Sequence, residues 1–361
     1  MINPRSWMSD LPSHISQKAL NLISIPGLSL CLLCFLVFFG TSTHIDSCLF
    51  NLNCLGYLVS LGSHNSFTYS ITRHSPPSPD GPIFRLDTCL PRSFLSRILY
   101  PWSVTQSLSL FDQLEAGIRY FDFRICARQK CLNKCKNDES EFYLAHGLYA
   151  NLLSTELQSI LGFLKANPRE VLIVDCNHFY NFETDEQECC FESTVLKILN
   201  NVMFPYQKNI PTLEELWSAK QQIIFISCHR ESPEKIHPKF WPSSSIKSFW
   251  PETVGPRAMI SFLNNHIKPH LHRPDNIFSV HQGILTPTLS FILLHPFSSV
   301  HRLAKIAGKY YQQWLNKPNQ LAGPDGINIT LIDFFATTYP TYIRDVVSIN
   351  YKTWPNDKTS T

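Results

Sequence analysis

His64, in Gly62-Ser63-His64-Asn65-Ser66, and His146, in Leu144-Ala145-His146-Gly147-Leu148, are the residues of this chain best suited to moving protons. Each follows a short β-competent run, YLVSL ending at Leu61 and FYLA ending at Ala145. Other polar residues take equivalent places. Asp122 and Arg124 end IRYFDFR, Asp175 ends VLIVD with Asn177 and His178 just beyond, and Asp333 lies past a strand expected at Gly326–Thr330. Histidines, carboxylates and an arginine together suit phosphodiester cleavage. A neutral imidazole takes a proton from an attacking hydroxyl, and an imidazolium protonates the leaving alkoxide. A buried Asp can fix the tautomer of the base, and an Arg neutralises charge growing on the phosphoryl oxygens.

Each residue also has a purely structural reading. A histidine after a strand is commonly a hydrogen-bonded structural group, and Asp-x-Arg at a strand end commonly forms a local ion pair. His178 can pack on Phe179 and Tyr180, and Asp333 can cap a helix that starts at Phe334. The case for chemistry rests on these signals recurring at equivalent strand ends.

Those strand ends belong to an alternating series. Strands are expected at Leu22–Ile25, Tyr57–Leu61, Ile118–Ile125, Phe142–Ala145, Val171–Cys176, Gln222–Ser227, Ile277–Val280 and Gly326–Thr330. Helices are expected at Trp7–Leu20, Ser103–Ala116 with Gly117 as its stop, Leu152–Lys165, Phe191–Val202, Glu252–His266 and Val300–Trp314. In IRYFDFRI the period of two sets Tyr120, Asp122 and Arg124 on one face and Arg119, Phe121, Phe123 and Ile125 on the other. So many βα units favour a closed barrel, with its catalytic groups at the strand C-termini.

Composition narrows the class. The 361 residues carry a net charge of +3 and no clustered Lys/Arg face, which argues against a nucleic-acid partner. The 12 cysteines form no paired CxxC sets at zinc spacing; Cys31 and Cys34 sit in an apolar run, and Cys126, Cys131 and Cys135 share a polar stretch. No cleavable signal opens the chain, so reduced thiols and a cytoplasmic location are expected. From Ala19 to Ile45 there is no formal charge, and Leu28 to Phe39 reads LSLCLLCFLVFF. A spanning helix needs about 20 apolar residues; this run attains that only by including Pro26 and Gly27. It is either a membrane segment, a buried segment, or a piece foreign to the folded domain.

At these motifs the chain resembles the phosphatidylinositol-specific phospholipase C X-domain proteins, particularly the small X-domain-only group of animals. The stretches that carry the resemblance are WMSDLPSHI from Trp7, GSHNSFTY from Gly62, WSVTQSLSLFDQLEAGIRYFDFRI from Trp102, FYLAHGLY from Phe142 and FLKANPREVLIVDCNHFY from Phe163. LEELW from Leu213, ILTP from Ile284 and, more loosely, GINIT from Gly326 followed by Asp333-Phe334 complete it. The resemblance implies a single-domain α/β fold, an irregular TIM-type barrel over residues 62–350 with a tail at 351–361.

It also implies a reaction. His64 would be the general base toward the inositol 2-hydroxyl, and His146 the general acid toward the diacylglycerol oxygen, giving an inositol cyclic phosphate. Asp333 would orient His64, and Asp122 would support His146 or the leaving-group proton. Asn65, Asp175, Asn177 and His178 are expected to bind substrate. Calcium-dependent members carry two carboxylates where this chain has Asp122-Phe123-Arg124, whereas metal-independent ones carry Asp-x-Arg, so no cofactor is expected. Expected partners are a phosphoinositide substrate and a peripheral membrane surface. Headgroup preference would fall to basic rim groups among Lys220, Arg230, Lys235 and Lys239, and Trp241 and Trp250 either touch the bilayer or, as is commoner for Trp, pack in the core. With no accompanying regulatory modules, no G-protein coupling is expected.

The chain departs from the family at one place. The family strand ends Ile-Pro-Gly and continues directly into Ser-His; here Ile25-Pro26-Gly27 is separated from Ser63-His64 by residues 28–61 and a second glycine. Residues 1–27 read as the first helix and strand of the barrel, and residues 28–61 as an insertion, either a translated intron or a membrane hairpin. Insertion of residues 28–45 would give a membrane-anchored form. A barrel whose base is displaced by this segment, binding phosphoinositide or a protein without catalysis, is the alternative to the enzyme.

Overall fold

A computed structural model of the chain describes residues 54–81, 91–128, 142–230, 235–267, 273–295 and 297–353. The helix and strand expected at 7–20 and 22–25, most of the 28–61 segment, Cys131 and Cys135 lie outside them.

Ten strands build one sheet: β1 (Ser60–Ser63), β2 (Tyr120–Ala127), β3 (Phe142–His146), β4 (Leu148–Leu152), β5 (Leu172–Tyr180), β6 (Ile223–Ser227), β7 (Trp241–Pro242), β8 (Ile246–Phe249), β9 (Phe278–Gln282) and β10 (Ile329–Ile332). The path runs β7-β6-β5-β2-β1-β10-β9-β8, and each pair along it is parallel. The sheet curls into an irregular TIM-type barrel, and no ladder joins β7 to β8 among the described residues. The helices are α1 (Arg92–Ser103), α2 (Leu110–Ala116), α3 (Leu153–Ala166), α4 (Asp185–Leu199), α5 (Leu213–Ser218), α6 (Pro256–His266), α7 (Leu289–Leu294), α8 (Val300–Leu315), α9 (Phe335–Thr338) and α10 (Tyr342–Thr353). None is long and apolar enough to cross a membrane.

The two-residue period of the strands sorts the side chains. Tyr120, Ile173, Ile224, Ile226, Phe278, Val280, Ile329 and Leu331 fill the barrel interior. Their neighbours Phe121, Phe123, Leu172, Val174 and Phe225 face outward onto helix residues such as Leu157, Ile160, Phe191 and Val195. Asp122 and Asp175 share the interior parity and top the apolar layer.

The strand expected at Tyr57–Leu61 begins at Ser60, because Leu55–Tyr57 form a 3₁₀ turn. It is clamped on several sides. Ser60 N–H donates to Asn328 O at 2.6 Å, the Asn350 amide brackets both backbone groups of Val59, and Tyr342 Oη donates to Gly62 O at 3.1 Å. A Cβ at Gly62 would lie 2.5 Å from Thr330 O and 2.8 Å from the Tyr120 ring, so only glycine lets β1 and β10 approach this closely.

Two expectations need correction. The helix expected over Ser103–Ala116 starts only at Leu110, since α1 ends at Ser103 and residues 104–109 are not helical. Thr105 is spent on tertiary bonds there: its N–H donates to Thr68 Oγ1 at 3.0 Å and its carbonyl accepts from Phe334 N–H at 2.7 Å. The strand at Phe142 is not a parallel barrel strand. β3 runs antiparallel to β2 and pairs with β4, so the two form a hairpin off the main path.

Candidate active site

β1 delivers His64 to the C-terminal mouth of the barrel, where its N–H donates to Ile332 O at 3.1 Å. Its carbonyl accepts from Thr105 Oγ1 at 2.8 Å and Gln106 Nε2 at 3.1 Å, so the backbone is held from both sides. Nδ1 lies 2.6 Å from Asp333 Oδ1, and Asp333 is buried. A carboxylate can only accept, so the proton sits on Nδ1 and Nε2 presents a lone pair. That lone pair accepts from Asn65 Nδ2 at 2.9 Å, with Asp122 Oδ2 at 3.8 Å. Asn65 takes a left-handed conformation, φ 41°, which aims its backbone N–H at Asp122 Oδ2 (2.9 Å).

His146 is the last residue of β3, at the hairpin turn, rather than the end of a strand on the parallel path. Gly147 makes that turn at φ 70°, and a Cβ there would lie 2.7 Å from Ser103 Oγ. The His146 Nδ1–H donates to Ser103 O at 2.8 Å, which leaves Nε2 for a ligand. The rings of His64 and His146 stand 6.1 Å apart at 70°. Burial pushes the His146 imidazole well below its ordinary value, and the Arg124 charge pushes it the same way. Among the described residues no carboxylate hydrogen-bonds to it.

Beneath the histidines lies a carboxyl network. Asn177 Nδ2 donates to Asp122 Oδ1 at 2.6 Å and approaches Asp175 Oδ2 at 3.5 Å, while Tyr120 Oη donates to Asp175 Oδ2 at 2.6 Å. Burial and the neighbouring Asp122 raise Asp175 to about 7. Asp175 is the register partner of Asp122 and just as buried, 2% exposed against 3%. The β2–β5 register shifts after Phe123 and sets Arg124 opposite His178. Arg124 Nε is buried with no partner, and His178 Nδ1 meets Asn177 Oδ1 at 2.6 Å.

The candidate residues therefore converge. His64, Asn65, Asp122, Asn177 and Asp333 form one hydrogen-bonded group, His146 faces it, and Arg124 and His178 line its edge. Asp175 joins it through Asn177, which approaches both carboxyls. Tyr120, Ser103, Thr105 and Gln106 support the group; all four lie in the stretch from Trp102 to Ile125, yet nothing in that stretch assigns any of them a role. Three of them act through a main-chain carbonyl, and Tyr120 through a carboxyl that is distant in sequence. Among the described residues no cluster of three or more His, Cys, Asp or Glu side chains could hold a metal ion. Of the expected rim groups, Arg230 is paired with Glu188 at 3.1 Å and Glu192 at 3.3 Å. Lys239 Nζ donates to Met203 O at 2.7 Å. Trp241 is fully buried in the barrel, which removes it from any membrane contact, whereas Trp250 is 40% exposed.

No family model matches the chain. Among curated proteins it is 30% identical over 346 residues to PI-PLC X domain-containing protein 2 of Mus musculus, across 92% of this chain and 85% of that one. It is 29% identical to PI-PLC X domain-containing protein 1 of Homo sapiens, covering 82% and 88%. Among solved structures, phosphatidylinositol-specific phospholipase C from Listeria monocytogenes superposes with a TM-score of 0.56 at 20% identity, over 83% of this chain and 95% of that one. A phosphatidylinositol-specific phospholipase C of Staphylococcus aureus gives 0.57 at 16% identity, over 82% and 93%.

Proposed function

The chain belongs to the PI-PLC X domain-containing proteins, and from that premise we propose that it cleaves the phosphodiester of a phosphoinositide by acid–base catalysis between His64 and His146. The observation that carries this reading is the bond between Asp333 and His64 Nδ1, with the His146 ring 6.1 Å away. That bond sets the His64 lone pair on Nε2, where the inositol 2-hydroxyl would take the place of the Asn65 amide that now donates to it and give up its proton. The freed oxygen attacks phosphorus, and protonated His146 Nε2 gives its proton to the departing diacylglycerol oxygen. The product is a cyclic inositol phosphate, and exchanging the two roles lets water open it.

Arg124 supports the reading as the charge that meets the phosphoryl oxygens, its Nε–H having no partner within the protein. It stands two residues after Asp122, so a divalent cation bound at Asp122 would meet a guanidinium. We infer turnover without metal. A membrane partner is supported by α7, which follows β9 at the mouth. Leu293 is 68% exposed, Leu294 77% and Phe297 90%, while Phe291 packs on Trp102, the neighbour of the Ser103 that binds His146.

The test is release of inositol phosphate and cyclic phosphate from phosphatidylinositol vesicles. Loss of a positioned general base costs about 10²–10⁴-fold in rate, so His64→Ala falls by that much and Asp333→Asn falls in the same direction. Turnover survives a chelator. Activity untouched by His64→Ala, or restored only by calcium, overturns the assignment.

A further inference from the structure

On the outer face of the β8–β9 pair, a cavity of about 300 Å³ lies between the sheet and α6. Phe278 and Val280 point into the barrel, so the alternate residues Ser279 and His281 face this cavity. Lys247, the register partner of Ser279, lines it too, with His266, Arg273 and Asp325. It reaches the loops that lead into β9 and β10, at the end of the barrel opposite the histidine pair.

Two buried atoms of its lining have no hydrogen-bond partner, Arg273 Nε and His281 Nδ1. Arg273 is 9% exposed and His281 1%. The other guanidinium nitrogens of Arg273 donate to the carbonyls of Ile277 and Gly56, so Nε–H is the donor left over. His281 bonds to the Ile329 backbone, and burial beside Arg273 holds it near 3, so its ring is neutral and Nδ1 is an acceptor. The lining carries two positive charges, Lys247 and Arg273, against the one carboxylate of Asp325; Asp275 lies outside it and holds Tyr57 Oη. A ligand that answers all of this is an anion with an acceptor oxygen and an acidic hydroxyl on one centre. A singly protonated phosphate has both, whereas sulfate at neutral pH has no proton to give.

We propose that this cavity binds the phosphate monoester group of a small ligand, independently of the reaction at the barrel mouth. The experiment is isothermal titration of the full chain at constant ionic strength with inorganic phosphate, inositol 1-phosphate and sulfate. An Arg124→Ala variant, run in parallel, removes phosphate binding at the mouth. Phosphate binding persists in Arg124→Ala, and sulfate binds at least about tenfold more weakly, as expected for an acceptor left unanswered. Lys247→Glu, at an exposed position, and His281→Phe, which keeps a ring beside Trp314, each weaken phosphate by a similar factor with unchanged circular dichroism. Tighter binding of inositol 1-phosphate assigns the organic ester as the ligand, and equal or weaker binding assigns free phosphate. Equal affinity for sulfate, loss of all binding in Arg124→Ala, or undiminished binding in both cavity variants overturns the proposal.

Discussion

The two histidines differ in their surroundings more than in their geometry. His64 has a carboxylate on its far nitrogen, whereas His146 has a backbone carbonyl and the positive Arg124 for a neighbour. A general acid must be protonated when the reaction begins, yet burial and Arg124 both drive the proton off His146 in the free protein. An anionic phosphate beside Nε2 supplies the missing counter-charge, so proton uptake accompanies substrate binding. The sign of the effect follows. His146 titrates below 6.5 in the free protein, so the alkaline limb of kcat/KM lies on the acid side of that value. The limb in kcat, which reports the complex, lies at higher pH. Arg124→Gln removes one like charge and moves the kcat/KM limb upward, while slowing turnover by about 10²–10³-fold through lost phosphoryl stabilisation. Rate profiles against pH for the two proteins check both shifts; coincident limbs in kcat and kcat/KM would count against a buried acid.

Elements decide how those residues meet, and here the sequence was readable in part. IRYFDFRI declared both its strand and its faces, because Tyr120 and Asp122 point inward exactly as an uninterrupted period of two requires, and its outward phenylalanines have no polar alternative. Asp333 and His64 were legible as strand-end residues, though nothing in their local sequence states that 269 positions of chain close into a 2.6 Å contact. FYLA was read correctly as a strand and wrongly as a barrel strand, since a hairpin and a barrel unit share one local pattern and differ only in their distant partners. Gly147 is the residue that marks the difference. Gly147→Ala forces a left-handed residue and a 2.7 Å contact with Ser103 Oγ, so it shifts the very turn that carries His146. The strain costs roughly 1 kcal/mol of stability, a small change in Tm, but a displacement of about 1 Å at the acid costs on the order of 10²-fold in kcat. Thermal melts beside single-turnover rates separate the two effects, and a kcat that falls no more than stability explains would show that the turn does not position the acid.

At the scale of the whole molecule, the mouth and the exposed residues of α7 share one end of the barrel, so a bilayer that receives Leu294 and Phe297 also brings its headgroups to His64. Leu294→Ser with Phe297→Ser is expected to weaken binding to phosphatidylinositol vesicles by about tenfold or more, since each large apolar side chain is worth roughly 1.5–3 kcal/mol on burial. Turnover of a short-chain monomeric substrate stays unchanged; a loss on both substrates would point to damage at the site instead. We propose that residues 28–62 are dispensable. Their removal joins Gly27 to Ser63, sets a glycine where Thr330 O demands one, and brings Ile25 to the place of Ser60 in the clamp with Asn328. The shortened chain is expected to fold and to keep the activity of the full one, measured on the same vesicles; failure to fold would make Leu55–Leu61 an integral part of the first strand. The hairpin that carries His146 has one further consequence. Within the sheet it pairs with β2 alone, off the parallel path, and it is otherwise held by bonds to residues 70–80 and to Ser103. Of the proposed catalytic machinery it is therefore the part least tied into the ladders of the barrel. Heating should therefore silence the protein before it melts: amide exchange in Phe142–Leu152 outruns that of β1 and β10, and activity fades while the barrel still stands.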